Sequence, residues 1–68
     1  MNGELLKYIM TIHGETVRDL AGVLNISEHL LWKKIEENGS EFRQWEIAAI
    51  CRHYNLSEKE LISVFFTK

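Results

Sequence analysis

The chain contains no proline, a single cysteine and no long hydrophobic run. Because Cys51 is alone, no intramolecular disulfide can form, which is compatible with a reducing compartment. No apolar stretch approaches the roughly 18 residues that a membrane span needs, and the first residues lack the charged and apolar blocks of a signal peptide. We therefore expect a cytoplasmic protein without membrane contact, in which Cys51 is a small core residue.

The sequence also lacks low-complexity segments, internal repeats and alternating runs of β-branched residues. Such alternation is the signal of half-buried strands, so its absence favours helices alone. The chain has 68 residues, of which 46% are hydrophobic and 26% charged, and this length supports one core but not two. We expect a single all-α domain over residues 1–68.

The first two helices are bounded by residues that commonly begin or end helices. Gly14 stands where a glycine would end a first helix, predicted over residues 2–13. Thr16 is the candidate N-cap of the second helix, and Asn25 can adopt the left-handed conformation that ends it. The residues expected to face inward are Leu5, Tyr8, Ile9 and Ile12 on the first helix, and Val17, Leu20, Ala21 and Leu24 on the second.

Three further helices are predicted after Asn25. Ser27 is the N-cap of the third helix, which Gly39 closes. The fourth helix runs over about residues 43–54, and Asn55 ends it. Ser57 and the glutamate three residues later form a capping box at the start of the fifth. Phe42 is expected to pack into the core from the preceding loop. The other residues expected to face inward are Ile26, Leu31, Ile35, Ile47, Ile50, Cys51, Tyr54, Leu61, Val64 and Phe65.

The segment TVRDLAGVLNISEHLLWKKI, residues 16–35, has a small residue where two helices would cross, Ala21, followed by a tight turn at Leu24-Asn25-Ile26. This layout resembles the helix-turn-helix of the Cro and repressor family of phage and bacterial regulators. The tail FRQWEIAAICRHYNLSEKELISVFF, residues 42–66, resembles the closing helices of small phage members of that family. The resemblance implies a compact five-helix, lambda-repressor-like domain with its motif at about residues 16–37.

The resemblance also implies DNA binding, with the third helix in the major groove of an operator. The residues that would contact bases are Ser27, Glu28, His29, Leu30 and Trp32; Thr16 and Val17 would meet a phosphate; Lys33, Lys34, Ser40 and Arg43 would contact the DNA backbone. One such helix reads few bases, so a homodimer is expected to bind the operator.

Several residues depart from this pattern. The formal net charge is -2, whereas nucleic-acid binders are usually basic, and no Arg, Lys, Asn or Gln stands at the base-contacting positions. Arg43 replaces the threonine that would pair with Glu46 in the family's capping box, which should weaken that cap. An alternative is a protein-binding module of the same fold, rebuilt by evolution or by engineering, whose contact residues are His29, Leu30, Trp32 and Trp45.

We expect neither an enzyme nor a metal or cofactor site. His13, His29 and His53 fall on three different predicted helices, and Cys51 and His53, two residues apart, do not share a helical face. This is poor zinc geometry, and the sequence has no glycine-rich phosphate loop or nucleophile motif.

Overall fold

The computed structural model describes residues 1–36 and 42–66 and forms five α-helices in these ranges, without a strand. The predicted all-α, five-helix architecture is therefore confirmed. Gly39, expected to close the third helix, lies outside the described residues. The helices are α1 (Gly3–Ile12), α2 (Val17–Leu24), α3 (Glu28–Glu36), α4 (Gln44–Tyr54) and α5 (Glu58–Phe65).

Side-chain hydroxyl groups cap three of the helices, and the Asn2 side chain caps α1 by accepting the backbone N–H of Leu5 at 3.1 Å. The Thr16 hydroxyl accepts the backbone N–H of Asp19 (3.4 Å), and the Asp19 carboxylate accepts the backbone N–H of Thr16 (2.8 Å), which completes a capping box. The Ser27 hydroxyl accepts the backbone N–H of Leu30 at 3.0 Å, and Ser57 makes the equivalent bond at 3.1 Å at the start of α5. Each such cap stabilises a helix by about 1 kcal/mol.

Left-handed residues end two helices, as the sequence predicts. Asn25 has φ 56° and Asn55 has φ 53°, a conformation that few residues other than glycine and asparagine adopt readily. The turn at Asn25 is closed by a bond from the backbone N–H of Ile26 to the carbonyl of Ala21, at 3.0 Å. Gly14 also lies in the left-handed region, with φ 70°, directly after the C-cap of α1.

The core is built from all five helices. It consists of Leu6, Ile9, Met10, Val17, Leu20, Ala21, Leu24, Leu31, Ile35, Ile50, Tyr54 and Val64. Ile47 and Cys51, predicted to be buried, are only half-buried, because they lie at the edge of the buried stripe of α4. Phe42 packs against the core as predicted, with its ring centre 5.7 Å from that of Phe65. No helix in the described ranges is long and apolar enough to cross a bilayer.

The inward face of α1 differs from the prediction. Tyr8 and Ile12, expected inside, are 61% and 60% exposed, and Leu6 and Met10 are buried beside Ile9 instead. Apolar residues occupy more than one side of this helix, so periodicity alone allows two orientations. The orientation is set by tertiary packing, because α1 packs against α5 and α2.

Candidate nucleic-acid interface

α3 presents one side to the core and the opposite side to solvent. Its inward residues are Leu31 (0% exposed) and Ile35 (5% exposed), and it packs against α2 across the turn at Asn25. His29 and Lys33 stand two positions from Leu31, which at about 100° per residue places them on the far side of the helix. Both are exposed. We call these two residues the outer row of α3.

Leu30 and Trp32 lie on opposite flanks of that outer row. Leu30 precedes Lys34 by one helical turn, and Lys34 contacts α4, so Leu30 is on the flank nearest α4. Trp32 is on the flank nearest α1, where the Lys7 ammonium lies 5.0 Å from the centre of its ring. The two side chains are 41% and 38% exposed. Leu30 and Trp32 therefore do not share one apolar face.

The start of α4 adjoins the flank that carries Leu30. Arg43 is the N-cap residue and is exposed, and Trp45, two residues later, is 54% exposed. The Glu46 carboxylate accepts the backbone N–H of Arg43 at 2.8 Å. A guanidinium has no acceptor atom, so Arg43 cannot return the second bond of a capping box. Glu46 therefore supplies one of the two bonds of a capping box, and the other cannot form. This agrees with the weak cap expected from the sequence.

Lys34 is not available as a contact to the DNA backbone, and that prediction was wrong. Its side chain is only 8% exposed, and its ammonium lies 3.2 Å from Oε1 of Glu46, whose side chain is 3% exposed. The ammonium also lies 5.7 Å from the centre of the Phe42 ring. Lys34 shares the inward face of α3 with Leu31, three positions away, and this placement takes its charge into the interior.

The other predicted contacts at helix N-termini are already engaged within the protein. The backbone N–H and hydroxyl of Thr16 both bond to the Asp19 carboxylate, at 2.8 and 3.1 Å. These bonds hold the pKa of Asp19 below its ordinary value. The Val17 side chain is buried, so only its backbone could meet a phosphate, and the Ser27 hydroxyl caps α3. Ser40 lies outside the described residues.

Charged side chains of both signs lie within and around the outer row. Lys33 is the exposed cation of α3, and Arg43, the N-cap residue of α4, is a second exposed cation. Glu28 and Glu36 are exposed on the flank that carries Trp32, and Glu36 lies 3.8 Å from the Lys7 ammonium. Glu28 also lies in the first turn of α3, where a carboxylate complements the helix dipole. Electrostatic attraction of DNA would therefore depend on few cations.

Comparison of the chain with family models, curated proteins and solved structures finds no match. Assignment of a function consequently depends on the geometry and chemistry of the described residues.

A second polar cluster, which the sequence did not reveal, ties the α1–α2 turn to the end of α4. Both carboxylate oxygens of Glu15 lie within 3.0 Å of Nε2 of His53, and one accepts the Tyr54 hydroxyl at 2.8 Å. The His13 ring packs 4.9 Å from that of Tyr54. Burial, followed by the bond to Glu15, raises the pKa of Tyr54 well above its ordinary value. Within residues 1–36 and 42–66, no three His, Cys, Asp or Glu side chains are arranged to hold a metal ion.

Proposed function

We propose that the chain is a DNA-binding domain of a transcriptional regulator, that α2 and α3 form its helix-turn-helix, and that α3 enters the major groove. The observation that carries the proposal is the placement of His29 and Lys33 opposite the buried Leu31 and Ile35. A helix held against the core by one side, with polar side chains on the other, can be inserted into a groove about 12 Å wide.

The side chains around the outer row match base edges in the major groove. Lys33 can donate to O6 and N7 of guanine, and His29 can donate to the same acceptors. Glu28 can accept from N4 of cytosine, and Leu30 can contact the methyl group of thymine. Lys33 can equally reach a phosphate, so its role is decided by whether its removal changes the sequence preference or the overall affinity.

Arg43 is the cation outside α3 that we assign to the DNA backbone. It is exposed and immediately precedes α4, beside the flank of α3 that carries Leu30. A contact from this position would fix the orientation of α3 without reading sequence. Because one copy of α3 reaches few base pairs, we propose that two copies bind one operator.

A protein partner is the second candidate, and the exposure of Leu30 on α3 and of Trp45 in the first turn of α4 favours it. Tryptophan is enriched among the residues that dominate protein interfaces. However, Trp32 lies on the opposite flank of α3 from Leu30 and is partly covered by Lys7. The three apolar residues Leu30, Trp32 and Trp45 therefore do not form one continuous patch.

A salt titration separates the two candidates. Fluorescence anisotropy would follow binding to pooled random duplexes while the salt concentration is raised from about 50 to about 200 mM. If Lys33 and Arg43 each neutralise one phosphate, the logarithmic slope is about −2 per chain, and affinity falls by about tenfold across this range. An apolar protein contact would respond little to the same change.

The matched control for this titration is a lysine far from the proposed interface. Lys33→Ala should weaken DNA binding by about fivefold or more. Lys59→Ala removes the same charge from an exposed position on α5 and should change affinity by less than about twofold. Equal effects of the two substitutions, or no binding at the lowest salt concentration, would reject DNA recognition by α3.

A further inference from the structure

The buried pair formed by Lys34 and Glu46 links α3 to α4 beneath the proposed interface. Lys34 lies in the last turn of α3 and Glu46 in the first turn of α4. One oxygen of Glu46 receives both the Lys34 ammonium, at 3.2 Å, and the backbone N–H of Arg43, at 2.8 Å. A single carboxylate oxygen thus joins α3 to the N-cap residue of α4.

Stability alone does not account for charges in this position. Two ions lose their hydration when they are buried, and apolar residues of similar volume commonly support a fold as well or better. A hydrogen-bonded ion pair fixes the relative orientation of the two helices, because a carboxylate oxygen holds two donors at defined distances and angles. Leucine and methionine side chains in the same space would tolerate small shifts of one helix along the other.

We propose that Lys34 and Glu46 are positioning residues that set the location of Arg43 relative to the outer row of α3. This inference rests on the proposed function, because Arg43 and the outer row are its two separate contacts with DNA. Contacts with a rigid duplex are productive only when such groups are held within about 0.5 Å of the required geometry. The pair therefore acts through Arg43 and touches no DNA itself.

A double-mutant cycle with Arg43 tests this role. The apolar pair Lys34→Met with Glu46→Leu removes both charges of the buried contact together. We expect this variant to keep its helical circular dichroism and to melt at or above the wild-type temperature, while its affinity for pooled duplex DNA falls by at least about fivefold. Arg43→Ala should weaken wild-type binding by about fivefold or more, but should change the binding of the apolar variant by less than about twofold.

A second variant keeps the test decisive if the apolar pair does not fold. Glu46→Gln retains an oxygen for both donors and removes only the charge. It should retain affinity within about threefold and should preserve most of the effect of Arg43→Ala. The control is Glu60→Leu, since Glu60 accepts the N-cap N–H of α5 at 2.9 Å in the same local arrangement, and its loss should leave DNA affinity within about twofold.

The outcomes separate this inference from the function on which it rests. If Arg43→Ala weakens binding by the same factor in the wild type and in the apolar variant, the pair does not position Arg43. If Glu46→Gln abolishes the effect of Arg43→Ala, hydrogen-bond geometry is not what the pair provides, and the inference is also overturned. If the wild type binds no duplex at low salt, the proposed function itself fails.

Discussion

Replacing Glu46 alone by leucine should be one of the most destabilising single substitutions in the chain. It leaves the Lys34 ammonium, on a side chain only 8% exposed, without the carboxylate that lies 3.2 Å away. Breaking a buried pair by removing one member costs about 3–5 kcal/mol, and loss of the acceptor for the Arg43 N–H adds about 1 kcal/mol. A 68-residue domain has a total stability of about 3–10 kcal/mol. The expected loss of about 4–6 kcal/mol would leave little folded protein if the wild type lies near the lower end of that range.

Urea denaturation at neutral pH, followed by tryptophan fluorescence and circular dichroism, measures this loss. The double variant that also carries Lys34→Met should recover most of it, because the buried ammonium is removed together with the carboxylate. The unfolding midpoint of the double variant is expected at or above that of the wild type. A loss below about 1 kcal/mol for Glu46→Leu would contradict the burial of this pair, since that is the range of exposed ion pairs.

Three further predictions concern the fold. Leu31→Ala should lower the free energy of unfolding in urea by about 2–5 kcal/mol, whereas His29→Ala should change it by less than about 0.5 kcal/mol; similar losses would show that α3 is turned differently. Asn25→Val should cost at least about 1–2 kcal/mol in the same assay, because a β-branched residue resists φ 56°, while Asn25→Gly should cost far less, and equal costs would argue against a left-handed turn. The raised pKa of Tyr54 in the folded chain means that stability is retained below pH 10 and falls above it, as only the unfolded chain readily loses the phenolic proton; a pH titration of the melting temperature should show this fall, and Tyr54→Phe should reduce it.

Helix boundaries were predictable from the sequence because local chemistry determines them. Thr16, Ser27 and Ser57 each cap a helix through a bond to the third residue after them, and Asn25 and Asn55 end helices in the left-handed conformation. These interactions span only a few residues. They can therefore be read without knowledge of the tertiary fold.

The orientation of α1 could not be deduced in the same way. The helix carries apolar residues on several sides, and the choice of Leu6 and Met10 over Tyr8 and Ile12 depends on where α5 and α2 lie. Long-range packing of this kind cannot be recognised from the spacing of apolar residues along one helix. The same limit applies to the cluster around Glu15, whose partner His53 is 38 positions away.

The buried ion pair, in contrast, could have been predicted from the spacing of residues in the sequence. Lys34 follows Leu31 by three positions and so belongs to the inward stripe of α3. Glu46 precedes Ile50 by four positions and belongs to the inward stripe of α4. Opposite charges on the buried stripes of two successive helices predict an ion pair between them. Assigning Lys34 to DNA because of its charge overlooked this spacing.

The proposed function requires that the outer row of α3 contacts DNA. Chemical-shift mapping by NMR, with a duplex selected from a random pool, tests this contact, because the backbone amides of all five helices are observed in one titration. The largest shifts are expected at Glu28, His29, Lys33 and Arg43, with α5 little affected. Shifts centred on the exposed Tyr8 and Ile12 of α1, or none at any residue of α3, would contradict it.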